Sequence, residues 1–169
     1  RGYARITGSS GQTLVDRAAA AMQRDGVKPH DAIAICGPSS IEYVTAFIAA
    51  LRCGAAACPL APSSTPEQLA MMVRDCGAAL LFVDDSASLA LDGVAEPLSV
   101  KRVALEGARN EAFSTWLAKP GARPAPVTID PDQTFNIIYS SGTTGAPKGI
   151  VQPHKMRWGH VRRAEALGY

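Results

Sequence analysis

The sequence predicts an α/β fold, a mainly parallel β-sheet flanked by helices. Short apolar runs alternate with stretches that favour helices, and glycine or proline bounds most of the runs. Each run is continuous rather than alternating between polar and apolar residues, which is typical of a strand covered on both faces. The strand–helix–strand spacing implies right-handed crossovers, which place successive strands in parallel.

Three buried strands are expected in the first half of the chain, because three apolar runs there are short and uninterrupted. These runs are residues 32–36, 55–60 and 79–83. The second half is predicted in less regular units. They are a strand at 102–105, a short helix at 110–117, a connector with four prolines at 119–131, strands at 135–139 and 149–152, and a final helix after His154.

Capping residues indicate where the first and third helices begin or end. Residues 13–25 are rich in Ala, and Gly26 follows at a position where helices commonly end. A third helix is expected from Thr65. Pro66 suits its first turn, and Gln68 completes a capping box with Thr65.

The second helix is predicted from residues 39–42 (SSIE), a capping-box pattern. Its larger apolar residues recur at helical spacing, so we expect them to form one face against the core. They are Ile41, Val44, Phe47, Ile48 and Leu51.

Composition argues against several classes of function. The 169 residues carry 17 Lys and Arg against 15 Asp and Glu, so the net charge of +2 gives no reason to expect nucleic acid as a partner. No apolar run is long enough for a transmembrane helix. The four cysteines form no C-x-x-C pair, which favours reduced core thiols of a cytoplasmic protein over a zinc site. They are Cys36, Cys53, Cys58 and Cys76.

A loop rich in glycine and hydroxyl groups separates the last two predicted strands. Gly142 and Gly145 permit positive φ and close backbone approach, so successive N–H groups can point at one anion. Lys148 adds a mobile positive charge suited to the outer phosphates of a nucleotide. The loop therefore predicts a phosphate-binding site. Hydroxyl donors are supplied by Ser140, Ser141, Thr143 and Thr144.

This loop departs from the Walker A pattern. Pro147 stands where that pattern has its second glycine, and Gly149 stands where it has a metal-binding Ser or Thr. A P-loop NTPase is therefore disfavoured, and Mg²⁺ ligands are expected from outside this chain. A flexible linker is also disfavoured, because linkers rarely end in Pro-Lys-Gly and lead straight into an apolar strand.

Residues 139–149, YSSGTTGAPKG, resemble the AMP-binding signature of the adenylate-forming superfamily. That superfamily includes acyl-CoA synthetases, firefly luciferase and the adenylation domains of nonribosomal peptide synthetases. Residues 51–62 resemble its second core motif, usually written LKAGAAYVPLDP. Cys58 and Ala61 lie near the places where the family usually has an aromatic residue and an Asp. The resemblance covers residues 13 to about 160 and implies part of the family's large N-terminal domain.

The resemblance implies that ATP and a carboxylic acid react to an acyl-adenylate and pyrophosphate, and that coenzyme A then takes the acyl group. A fatty acid is the expected substrate. The alternatives are an aryl-acid or amino-acid adenylating enzyme, or a nucleotide-binding module without catalysis. Thr143 and Lys148 are the expected catalytic residues. The residues expected to bind the phosphates of ATP are Ser140, Ser141, Gly142, Thr143, Thr144, Gly145 and Lys148.

The family's adenine-binding and Mg²⁺-binding residues and its mobile C-terminal domain come after the loop. The resemblance therefore implies that residues 1–169 are the N-terminal portion of a longer enzyme and are inactive alone. His154 lies six residues past Lys148, where the family often has His. A substrate contact and a simple capping or packing role both remain open for it.

Overall fold

Seven strands in the described part of the chain form one sheet. The computed structural model describes residues 8–140 and 147–166. The strands are β1 (Ala32–Cys36), β2 (Ala56–Leu60), β3 (Ala78–Val83), β4 (Lys101–Ala104), β5 (Glu111–Ala112), β6 (Thr134–Ser140) and β7 (Lys148–Pro153). The helices are α1 (Gly8–Arg24), α2 (Ile41–Arg52), α3 (Pro66–Asp75), α4 (Asp85–Asp92), α5 (Phe113–Trp116) and α6 (His154–Ala166).

The order of strands across the sheet is β5-β4-β3-β1-β2-β6-β7. Every neighbouring pair is parallel except β6 and β7, which run antiparallel. The mainly parallel sheet flanked by helices is therefore confirmed. The reversal at β7 places an antiparallel strand at one edge, because the seven residues between β6 and β7 are too few for a helical crossover.

Both faces of the central strands are buried, because successive side chains of a strand point to opposite sides. Ile33, Ile35 and Phe82 pack with α1, α2 and α5 on one side. Cys36 and Val83 pack with α3 and α4 on the other. The structure thus has helices on each side of a central sheet, as the continuous apolar runs predicted.

The capping box predicted for α3 is confirmed. Thr65 Oγ1 accepts from the Gln68 backbone N–H at 3.2 Å, and Gln68 Oε1 accepts from the Thr65 N–H at 3.1 Å. The capping box predicted for α2 is wrong. Ser40 is the N-cap and accepts from the Tyr43 N–H at 3.1 Å, so Tyr43 rather than Glu42 occupies the third helical position.

The core face predicted for α2 is wrong in part, because Phe47 packs against the core but Val44 and Ile48 do not. Val44 and Ile48 are 46% and 44% exposed. The buried residues of this helix are Thr45, Ala46, Ala49 and Ala50. The physical reason is α1, which packs against α2 with its own small side chains, Ala18, Ala19 and Ala21 among them. Small residues allow the two helices to approach closely, so the larger apolar residues lie to the side of the contact.

Helix α4 is absent from the sequence prediction. Asp84 accepts from the Ala87 N–H at 2.7 Å and caps the helix. Asp85 accepts from the backbone N–H groups of Ala108 and Arg109, each at 3.0 Å. These contacts assign both carboxylates to local structure rather than to acid–base chemistry. The segment 110–117 is helical only in part, because β5 precedes the four residues of α5.

All four cysteines are free thiols, and three of them are buried, which confirms the reading of core cysteines. Burial raises the pKa of Cys36 and of Cys53 to about 12. Within residues 8–140 and 147–166, every helix is too short or too polar to cross a membrane.

The difference between the predicted and the observed buried face of α2 can be tested by one substitution on each face. Ala49→Leu should lower the free energy of unfolding by about 1–3 kcal/mol, because the added atoms have no space beside α1. Ile48→Ala should cost less than about 1 kcal/mol, because the side chain is half exposed. Urea unfolding of the chain measures both. A larger loss for Ile48→Ala than for Ala49→Leu would restore the face that the sequence predicted.

Candidate phosphate-binding site

The hairpin of β6 and β7 brings the two ends of the predicted loop together. Ser140 pairs with Lys148, and Tyr139 pairs with Gly149 in the antiparallel register. Ser140 and Lys148 are therefore side by side, and both are exposed. The other predicted phosphate-binding residues lie outside the described residues. They are Ser141, Gly142, Thr143, Thr144 and Gly145.

The loop leaves the sheet at the edge where ligands commonly bind in open α/β folds. Strands β2 and β6 are parallel, so their carboxyl ends, at Leu60 and Ser140, lie at the same edge. Ligands of such sheets usually lie just beyond the carboxyl ends of the strands. The fold thus presents Ser140 and Lys148 where a ligand has access to them.

A cleft of about 650 Å³ lies beside the base of the loop. Its volume is within the usual range for small-molecule sites. The turn after β2, helix α3 and the end of β6 form its walls. The lining residues are Pro59, Leu60, Ala61, Ser63, Ser64, Gln68, Met72, Ile138, Tyr139, Ser140 and Pro147. The hydroxyls of the three serines in this lining can donate hydrogen bonds to an anion bound in the cleft.

Lys148 supplies a positive charge at the start of β7, where the loop ends. It forms no ion pair with any acidic side chain in the described ranges, and its side chain is exposed. An unpaired ammonium next to a hydroxyl suits an anionic ligand better than a neutral one. Among the residues that the structure describes, no group of three His, Cys, Asp or Glu side chains is placed to hold a metal ion.

Tyr139 is a residue of this site that sequence reasoning missed. Its hydroxyl lies 2.5 Å from Asp75 Oδ2 and 3.2 Å from the Met72 carbonyl. Burial raises the pKa of Tyr139, and the neighbouring Asp75 carboxylate raises it further, so the phenol stays protonated and donates. Nothing in the sequence links positions 75 and 139, because 64 residues separate them.

His154 lies away from the loop. It begins α6 at the far end of β7, six residues from Lys148 or roughly 20 Å along the strand. Its ring packs edge-on against Phe135 with centroids 5.1 Å apart, and Nε2 is buried with no hydrogen-bond partner among the described residues. Burial lowers the pKa of His154. The structure therefore does not bring this residue together with Ser140 and Lys148.

Comparison with known proteins identifies the family. The family described as "AMP-binding enzyme" matches residues 1–164. The chain therefore belongs to the AMP-binding enzymes, and the resemblance carried by residues 139–149 is confirmed.

The relatives of this chain include a nonribosomal peptide synthase and a CoA ligase. The chain is 30% identical over 142 residues to the dimodular nonribosomal peptide synthase of Bacillus subtilis (strain 168), an overlap of 83% of this chain and 6% of that protein. It is 32% identical over 161 residues to 4-coumarate–CoA ligase 5 of Oryza sativa subsp. japonica, with 89% and 29% covered. The chain spans less than a third of either relative's length.

A solved structure shares the fold. The anthranilate CoA ligase AuaEII, in complex with anthranoyl-AMP, superposes with a TM-score of 0.77 at 25% identity. The match covers 86% of this chain and 29% of that one. The sheet and helices described above therefore have the arrangement found in an adenylate-forming enzyme.

The environment of His154 predicts a pH dependence of stability. A folded-state pKa below the unfolded value means that unfolding takes up a proton as the pH falls through about 6.5. Stability present at pH 7 should therefore decline between pH 7 and 5, and His154→Gln should flatten that slope. Urea unfolding across this pH range measures it. The matched control is His160→Gln, on the same helix but exposed, which should leave the slope unchanged. Equal slopes in wild type and His154→Gln would contradict the prediction.

Proposed function

We propose that this chain supplies the phosphate-binding part of an acid–thiol ligase. The enzyme would use ATP to convert a carboxylic acid to an acyl-adenylate and would then form the thioester of coenzyme A. The observation that carries the proposal is the antiparallel pairing of Ser140 with Lys148. It places a hydroxyl and an exposed cation at the two ends of the YSSGTTGAPKG loop in an AMP-binding enzyme.

The proposed chemistry needs charge stabilisation more than acid–base catalysis. A carboxylate oxygen attacks the α-phosphorus, the bond to the bridging oxygen breaks, and pyrophosphate leaves. Donors on Ser140 and Thr143 would hold the outer phosphates, and Lys148 would neutralise charge on the departing pyrophosphate. Mg²⁺ would screen the phosphates when bound.

The acid is proposed to be a medium- or long-chain fatty acid. The Tyr-Ser-Ser opening of the loop and its continuation, Ile150, Val151 and Gln152, resemble those of bacterial fatty acyl-CoA ligases. An aryl acid is the second candidate, because the chain is 32% identical to 4-coumarate–CoA ligase 5. An amino acid is the third, because relatives include a nonribosomal peptide synthase.

Exchange of labelled pyrophosphate into ATP tests the reaction class. The complete protein that contains this chain should support exchange when given its acid, and none without acid. The panel comprises fatty acids of 8 to about 18 carbons, 4-coumarate, anthranilate and the amino acids. Exchange with fatty acids is expected, followed by acyl-CoA formation when coenzyme A is added. Exchange with aryl or amino acids alone would reject the fatty acid, and no exchange with any acid would reject the ligase.

The charge of Lys148 should matter for adenylation and not for folding. Lys148→Ala in the complete protein should lower the adenylation rate by about 10²-fold, the usual loss when one group that stabilises the transition state is removed. The unfolding midpoint should be unchanged, because the side chain is exposed. Lys155→Ala is the matched control, an exposed lysine beyond the other end of β7 that pairs with Asp132. Adenylation by Lys148→Ala at the control's rate would remove Lys148 from the mechanism.

A further inference from the structure

We propose that Tyr139 is a positioning residue that holds the end of β6, where the predicted phosphate loop begins, in place through Asp75. The kinetic part of this inference rests on the proposed function, and its structural part does not. Tyr139 immediately precedes Ser140, the first residue of the predicted phosphate site. Any displacement of its side chain would therefore reach the loop directly.

The hairpin that carries the loop joins the parallel sheet through β6, which runs beside β2. Within the described residues, β2 and β6 share a single register pair, Ala57 with Asn136. That pair lies three residues before Tyr139. The outer strand β7 pairs with β6 alone, because it is the edge of the sheet in the described part of the chain. A contact between the tip of the hairpin and a second element would add to this attachment.

The hydroxyl of Tyr139 supplies that attachment. It donates to the Asp75 carboxylate at 2.5 Å and lies near the Met72 carbonyl, both at the carboxyl end of α3. Met72 and Tyr139 also line the cleft beside the loop. One side chain therefore connects the loop, the wall of the cleft and helix α3.

The ring of Tyr139 also lies close to the backbone of Gly149. A Cβ at Gly149 would lie 3.3 Å from two atoms of the Tyr139 ring and 3.2 Å from the Ile137 side chain. These distances are shorter than ordinary van der Waals contacts. The ring thus lies against the backbone of β7. Tyr139, which belongs to β6, therefore contacts the other strand of the hairpin as well.

Removal of the hydroxyl alone is the main test. Tyr139→Phe in the complete protein should raise the KM for ATP by about tenfold, the change expected for a lost hydrogen bond to a carboxylate. The KM for the acid should stay the same. Asp75→Ala should reproduce this effect, and the double variant should be no worse than either single variant. The matched control is Tyr43→Phe, on α2, whose hydroxyl is not part of this contact.

Hydrogen exchange measures the attachment without any turnover. Amides of residues 137–140 and 147–150 should exchange faster in Tyr139→Phe and Asp75→Ala than in wild type or Tyr43→Phe. Unchanged exchange would overturn the attachment. Faster exchange with equal effects on the KM of ATP and of the acid would overturn the positioning role and leave only a structural one.

The two proposals fail in distinguishable ways. A wild-type protein that binds MgATP in calorimetry but activates no acid would reject the ligase. Tyr139→Phe would then be judged by its MgATP affinity, which should fall about tenfold against Tyr43→Phe. An unchanged affinity, or a wild-type protein that does not bind MgATP, would overturn the positioning role.

Discussion

A parallel sheet has to bury both of its faces, and most of this structure follows from that requirement. Side chains of β1 and β3 alternate between two cores, so helices must cover each side. On one side, α1 and α2 meet through alanines rather than through leucines or isoleucines. Small side chains bring the helix backbones close to one another. The same closeness leaves Val44 and Ile48 half exposed.

The antiparallel strand β7 departs from this pattern, and the candidate site depends on the departure. A crossover helix after β6 would have placed residues 140 and 148 far apart. A hairpin places them opposite each other. The base and the tip of this hairpin are attached to the rest of the structure by different contacts. Gln133, buried just before β6, donates to the Gly54 carbonyl and accepts at its own carbonyl from the His154 N–H, so the base is fixed by backbone partners. The tip is held by the side chain of Tyr139.

A hairpin that is held at both its base and its tip suits a site that works by positioning charge. Donors that are already placed before the ligand arrives lose little order during the reaction, and they stabilise developing charge more strongly for that reason. Lys148 is unpaired within the described residues and exposed, so it contributes little to the fold and remains available to an anion. The relatives include a nonribosomal peptide synthase and a CoA ligase. The proposed phosphate site, if separate from the residues that select the acid, would suit both.

Structural features that depend only on neighbouring residues could be predicted from the amino-acid sequence. β1 matches its predicted range of residues 32–36, and α3 begins at the predicted capping box, because an apolar run and a cap depend on residues close in the chain. The family was evident from eleven consecutive residues, 139–149. The buried face of α2 could not be predicted in this way, since it depends on how α1 packs against that helix. The contact between Asp75 and Tyr139 across 64 residues could not be predicted either, because its energy depends on how distant segments pack and leaves no local pattern.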